Sequence, residues 1–134
     1  MFEWIVRLAG LALWMICLAN LFCFEKLEWN RNLGKVEEFF GQVFKVHALF
    51  LVMAMLGMGA ACLFATEELM TGETMMAKGF TWFGAIFWGV RVVLHLFYYE
   101  KSLKQANPCW NALFFSTFVF LCVTFVLLGL GIDF

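Results

Sequence analysis

Four long apolar stretches alternate along the chain with short polar segments. They run from about Trp4 to Phe24, Val43 to Ala65, Phe80 to Tyr99 and Asn111 to Ile132. A bilayer core about 30 Å thick takes about 20 residues of helix at 1.5 Å rise each, so every stretch is long enough to cross. None shows the strict alternation of a barrel strand, and each is about twice such a strand's length, so the pattern predicts helices. The connectors are too short for a separate soluble domain. The expected fold is all-α, a four-transmembrane-helix antiparallel bundle making one integral-membrane domain over residues 1–134.

Three details refine this outline. Between helices 1 and 2, the segment Leu33 to Phe44 places Val36, Phe39, Phe40 and Val43 on one helical side, with Lys35, Glu37, Glu38 and Gln42 elsewhere. That pattern predicts a short interfacial amphipathic helix, serving as a tight connector or as a docking surface for a partner. Gly72 interrupts the second connector, and Asn107-Pro108 marks a turn before the fourth helix. In the first stretch Cys17-Leu18-Ala19 has the spacing of a signal-peptide cleavage site, but Glu3 precedes Arg7, and Arg7 lies inside the apolar run, so it reads as a retained helix.

Composition narrows the class. The chain is 64% apolar and 14% charged, against about 45–50% and about 25% in soluble domains. Its mean hydropathy is +0.88, and a small soluble domain cannot bury that much apolar surface. A net charge of −1 without a basic stretch excludes a nucleic-acid binder, and the apolar content excludes a disordered chain.

Orientation follows from the cations. The first and third connectors and their flanks carry Lys26, Arg31, Lys35, Lys45, Lys101 and Lys104, whereas the opposite side has Lys78 and Arg7. The positive-inside rule makes those two connectors cytoplasmic and both termini non-cytoplasmic, in an inner membrane. Trp4, Trp29, Trp82, Tyr98, Tyr99 and Trp110 fall at the expected boundaries, where aromatic anchors belong.

Any chemistry must come from polar groups within the apolar stretches, where they are costly unless they meet a partner or a cavity. Trp88, Arg91, His95 and Tyr98 recur three, four and three residues apart, which stacks them on one face of the third helix. His47 on the second helix and Asn20 on the first are expected at a similar depth in the cytoplasmic leaflet. The candidate ligand-binding set is therefore Asn20, His47, Trp88, Arg91, His95 and Tyr98, while Arg7 belongs to the opposite leaflet and snorkels outward.

Three readings of this set compete. In one, the side chains bond to each other and to headgroups and only fix helix register. In another, His47 and His95 are axial ligands of a b-type haem whose propionate pairs with Arg91. In the third, the set lines a site for a lipid, quinone or other amphiphile, which merges with a channel or transporter role in an oligomer. Glu3, Glu67, Glu68, Glu73 and Asp133 all fall at the outer edge, a poor placement for ion-coupled transport.

The cysteines Cys17, Cys23, Cys62, Cys109 and Cys122 form no Cys-x-x-Cys pair and read as small apolar residues, so no metal site is expected. There is no Gly-rich phosphate loop and no His-Glu-x-x-His, and two histidines give no Ser-His-Asp set. Small residues, namely Gly57, Gly59, Ala60 and Ala61, then Gly84 and Gly89, then Thr117, Thr124 and Gly131, allow close helix contact within the bundle or between copies.

The run Phe87-Trp88-Gly89-Val90-Arg91-Val92-Val93-Leu94-His95-Leu96-Phe97-Tyr98-Tyr99, with Val43-Phe44-Lys45-Val46-His47, resembles a group of uncharacterised small four-helix bacterial inner-membrane proteins. They share a Phe-Trp…Arg…Phe-Tyr-Tyr stretch in the third crossing and an aromatic-x-x-His opening to the second. The resemblance covers about a quarter of the chain and implies importance for Arg91 and His47. His95 departs from it, since the group often has Gln there, which weakens the two-histidine haem. The expectation is a non-enzymatic assembly or accessory subunit, self-associating or part of a larger membrane complex, with the polar cluster binding an amphiphile. The alternatives are a haem b electron carrier and an oligomeric channel.

Overall fold

The computed structural model describes residues 2–26, 31, 34–98 and 108–132, and the side chains among them outside 21–26. These residues are 89% helical, with no strand among them. Four of the helices are long and apolar enough to cross a membrane.

Helix α1 spans Phe2–Lys26. Near its start Arg7 reaches back one turn to Glu3 at 2.7 Å, an i,i+4 ion pair that turns the guanidinium towards the end of the helix. Helix α2 spans Glu38–Phe64. At 27 residues it is about 40 Å long, more than a bilayer core needs. The separate interfacial helix expected over Leu33 to Phe44 is corrected here: residues 34–37 form a turn, and Phe39, Phe40 and Val43 belong to the first turns of α2. The reason is local. Nothing between Glu38 and Val43 breaks a helix except Gly41, whose N–H bonds to the Glu37 carbonyl at 3.1 Å and starts the ladder.

The second connector is more ordered than its composition implied. Thr66–Thr71 forms a single-turn-scale helix, α3, opened where the Thr66 hydroxyl donates to the Cys62 carbonyl at 2.7 Å. It closes at Gly72, whose φ of 59° is the left-handed conformation that glycine adopts without strain. Helix α4, Met75–Phe97, then begins upstream of Phe80 because the Thr74 side chain accepts the Ala77 N–H at 3.1 Å, a side-chain N-cap. Helix α5 spans Pro108–Gly129. Proline suits a first turn, where its missing N–H has no partner to lose. At the other end the Ile132 N–H bonds to the Leu127 carbonyl and the Gly131 N–H to that of Leu128, a Schellman closure.

The long helices associate in pairs, α1 with α2 and α4 with α5. Along the first pair, Gly10 approaches Gly59, Trp14 Nε1–H donates to the Leu56 carbonyl at 3.3 Å, and the Cys17 thiol faces the Val52 carbonyl at 3.7 Å. Residue numbers rise on one helix as they fall on the other, so the two run antiparallel. The same holds for the second pair, where Trp82 meets Gly129, Gly84 meets Phe125, Trp88 meets Phe118 and His95 meets Asn111. Lesser contacts of α1 with α5 and α3 join the two hairpins, whereas α2 and α4 barely meet.

Burial is distributed unevenly along these helices. The core consists of Phe2, Val6, Ala9, Leu13, Ile16 and Cys17 of α1, Met55, Met58 and Cys62 of α2, and Leu69 of α3. It continues with Ala77, Ala85 and Trp88 of α4 and Phe118, Leu121, Phe125 and Leu128 of α5. All of these lie in the half that holds α3. In the other half no residue among 18–20, 42–54, 89–98 and 108–117 is buried. Among the described residues one half is closed and the other, where Gly41 of α2 is the one buried residue, is open.

Candidate functional site

The open half holds the polar groups that the sequence singles out. Trp88 sits at its floor, 1% exposed, as the last buried residue of α4. Its indole stacks on Phe118 at 5.6 Å and meets Phe87 edge-on at 5.2 Å. Its Nε1–H is fully buried without a hydrogen-bond acceptor. An unmet buried donor costs about 1–3 kcal/mol.

One turn further along α4, the Arg91 guanidinium carbon lies 5.2 Å above the centre of the same Phe118 ring, a cation–π contact. His95, one more turn on, stacks on Phe115 at 5.4 Å and meets Phe118 edge-on at 5.9 Å. Its Nε2 lies 2.8 Å from the Asn111 side-chain oxygen. With that carbonyl accepting the Nε2–H, Nδ1 is the acceptor nitrogen of the neutral imidazole. Phe118 therefore organises the site: indole, guanidinium and imidazole, spaced along one face of α4, all pack on a single ring from α5.

Two other members of the expected set stand elsewhere. Asn20 is half-buried on α1 and His47 is exposed on α2, both on the other hairpin. His47 turns its Nδ1 to its own helix, 2.9 Å from the Val43 carbonyl. Tyr98 caps the end of α4 and is 78% exposed. The structure thus joins Trp88, Arg91 and His95 through α5. A haem held by two histidines would draw on Nε2 of His47 and Nδ1 of His95, from helices of different hairpins.

Phe115, Phe118 and above all Asn111 belong to the site and were missed. A usable signal exists. The two helices run antiparallel, and counted inward from their facing ends His95 lies two residues before Phe97 and Asn111 three after Pro108, which brings the two side chains opposite each other.

Cys17 and Cys62 are buried in the closed half, Cys122 is partly buried with its thiol 3.8 Å from the Ala85 carbonyl, and Cys109 is exposed at the start of α5. Among the described residues no three histidine, cysteine or acidic side chains gather as a metal site would need. Compared with protein-family models, with curated proteins and with solved structures, the chain matches none.

Proposed function

We propose that the chain is an inner-membrane protein that crosses the bilayer four times as an antiparallel bundle. In this reading the open half lies in the cytoplasmic leaflet and both termini face outward. It serves as an accessory or assembly subunit, self-associating or within a larger membrane complex, and its polar cluster holds an amphiphile. The observation that carries the reading is the exposed apolar surface of α2. Leu49, Phe50, Leu51, Met53 and Leu56 are all exposed along a single helix, Phe50 at 63%. Such a continuous apolar surface is stable against lipid or another protein, not water. The cluster supports holding rather than chemistry, since its groups are bonded or stacked side chains and Arg91 is the one charge on α4 beyond Lys78.

Cys109 supplies the test, being the exposed thiol among the described cysteines. In a Cys23→Ser background, a membrane-impermeant maleimide is expected to label Cys109 in inside-out vesicles and not in right-side-out ones. Labelling from the opposite side would overturn the orientation. Labelling of Cys17 and Cys62 by the impermeant reagent in intact vesicles would overturn the membrane-spanning bundle itself.

A further inference from the structure

We propose that the protein self-associates through a second packing seam on α2, occupied by α2 of a second copy, with a Gln42–His47 pair crossing the interface on either side. The inference rests on the membrane-spanning, self-associating reading and names the surface that reading uses.

Helical phase is the first argument. The buried residues of α2, which are Gly41, Met55, Met58, Gly59 and Cys62, centre on the side that meets α1, where Gly59 approaches Gly10 and the Val52 carbonyl faces Cys17. At 3.6 residues per turn, Phe39, Val43, Val46, Phe50 and Met53 form a row nearly half a turn away from that side. Four of them are exposed and Val43 is half-buried. Their successive spacing is four, three, four and three residues, the heptad interval at which two helices interlock knobs into holes. The helix thus has one apolar seam filled by α1 and a second, opposite one, left bare.

Depth is the second. The helix is about 10 Å longer than a bilayer core requires. Phe39 stands six residues, or about 9 Å, further out along the axis than Lys45, yet it keeps the phase of the row and is 66% exposed. Acyl chains cover an apolar side chain inside the core and do not reach that level. A protein surface does.

Self-complementarity selects a second copy. Two copies inserted in the same sense present α2 in the same direction, so the seam between them is parallel and each residue meets its equivalent across a two-fold axis. In a parallel heptad seam, a residue flanking the row on one helix faces the residue five positions further on in the other helix. Gln42 flanks the row on one side and His47 on the other, five residues apart. His47 Nδ1 lies 2.9 Å from the Val43 carbonyl, which can only accept, so Nδ1 carries the proton and Nε2 is the acceptor of the neutral imidazole. Gln42 gives one amide N–H to Glu38 at 3.4 Å and has a second to give. Each Gln42 therefore donates to His47 of the other copy, and symmetry makes the pair twice. The remaining flanking residues Phe40, Leu49 and Ala54 are uncharged, while Glu38 and Lys45 lie about a third of a turn from the row. Self-pairing brings no like charges together.

The test is disulfide cross-linking of the full-length protein in native membranes, in a Cys23→Ser, Cys109→Ser background. Val46→Cys, Phe50→Cys and Met53→Cys are expected to give at least about five times more dimer than Leu51→Cys beside the row or Ile86→Cys on α4, because disulfides need Cα atoms within about 7 Å. Equal yields at all five positions, or no dimer at any, would overturn the proposal. A product of Phe50→Cys with a chain of another mass would overturn it in favour of a different membrane protein. Native mass spectrometry of detergent-released protein supplies the second measurement: Gln42→Ala and His47→Ala should each weaken the dimer about three- to tenfold, and the double variant no further than either alone. Additive losses, or none, would overturn the pairing. Both side chains are exposed, so neither variant threatens the fold. If Cys109 labels as expected and these outcomes fail, the seam falls alone; if the labelling fails, the membrane-spanning reading falls.

Discussion

The spacing of α4 and α5 rests on Gly84, and the sign of a single methyl group tests this. A Cβ at Gly84 would lie 2.6 Å from Cδ1 of Phe125 and 2.8 Å from two further ring atoms. Carbon contacts are favourable at about 3.5–4.0 Å, so the ring must move by about 1 Å. Phe125 has little room, since it is 0% exposed and packs edge-on against Phe80 at 6.1 Å. Overpacking of this kind costs about 1–3 kcal/mol. Against it stands the gain from replacing glycine within a helix, about 0.5–1 kcal/mol. Gly84→Ala is therefore expected to destabilise by up to about 2.5 kcal/mol.

Gly57→Ala is the matched control. No atom lies within 4 Å of a Cβ built there, so only the helix gain remains, about 0.5–1 kcal/mol of added stability. The same substitution should then act with opposite signs at two positions, separated by about 1–3 kcal/mol. For a chain of this length that separation corresponds to about 3–10 °C in Tm. The assay is thermal unfolding in one detergent, followed by near-ultraviolet circular dichroism. If Gly84→Ala stabilises as much as Gly57→Ala, Phe125 does not hold α4 at this distance and the pairing of α4 with α5 is wrong.

Two further outcomes follow from the same contacts. Trp88→Phe removes the unmet indole donor together with some packing, so it should stay within about 1 kcal/mol of wild type, whereas Trp88→Ala should lose about 3–5 kcal/mol; equal losses in thermal unfolding would refute the orphaned donor. Thr74→Ala removes the N-cap of α4 and should lower stability by about 1 kcal/mol in the same assay, and an unchanged Tm would show that α4 does not depend on this cap.

The four long apolar helices were legible because an apolar run of about 20 residues admits few alternatives. Their ends were not, and the misses have local causes. Thr74 sits among polar residues that give no apolar periodicity, so the α4 start was placed at Phe80, yet one side-chain oxygen is enough to begin the helix at Met75. The amphipathic pattern around Phe39 and Phe40 is real, but periodicity alone does not distinguish a separate surface helix from the first turns of a longer one. The site shows the same division. Spacing along α4 put Trp88, Arg91 and His95 on one face, because helical periodicity is an intrachain property. Adding His47 and Asn20 required knowing which helices pack, and depth matching says nothing about neighbours. Asn111 went unnoticed because a single amide at a helix start reads as a boundary residue until its partner across the turn is identified.

The uneven core also bears on how binding and stability are related. In a bilayer, apolar side chains gain little by leaving lipid for one another, so helices stay together through close packing and specific polar contacts. The closed half has the close packing: Gly10 against Gly59, Gly84 against Phe125 and Gly129 against Trp82. The open half has no buried side chain on α4 beyond Trp88, and the His95–Asn111 hydrogen bond and the packing of Arg91 and His95 on Phe118 are among the contacts that tie α4 to α5 there. Groups that hold the hairpin together at this end are thus the same ones proposed to meet an amphiphile. A ligand that engages Arg91 without displacing it from Phe118 adds to these contacts and closes the open half. One that pulls the guanidinium off the ring weakens them.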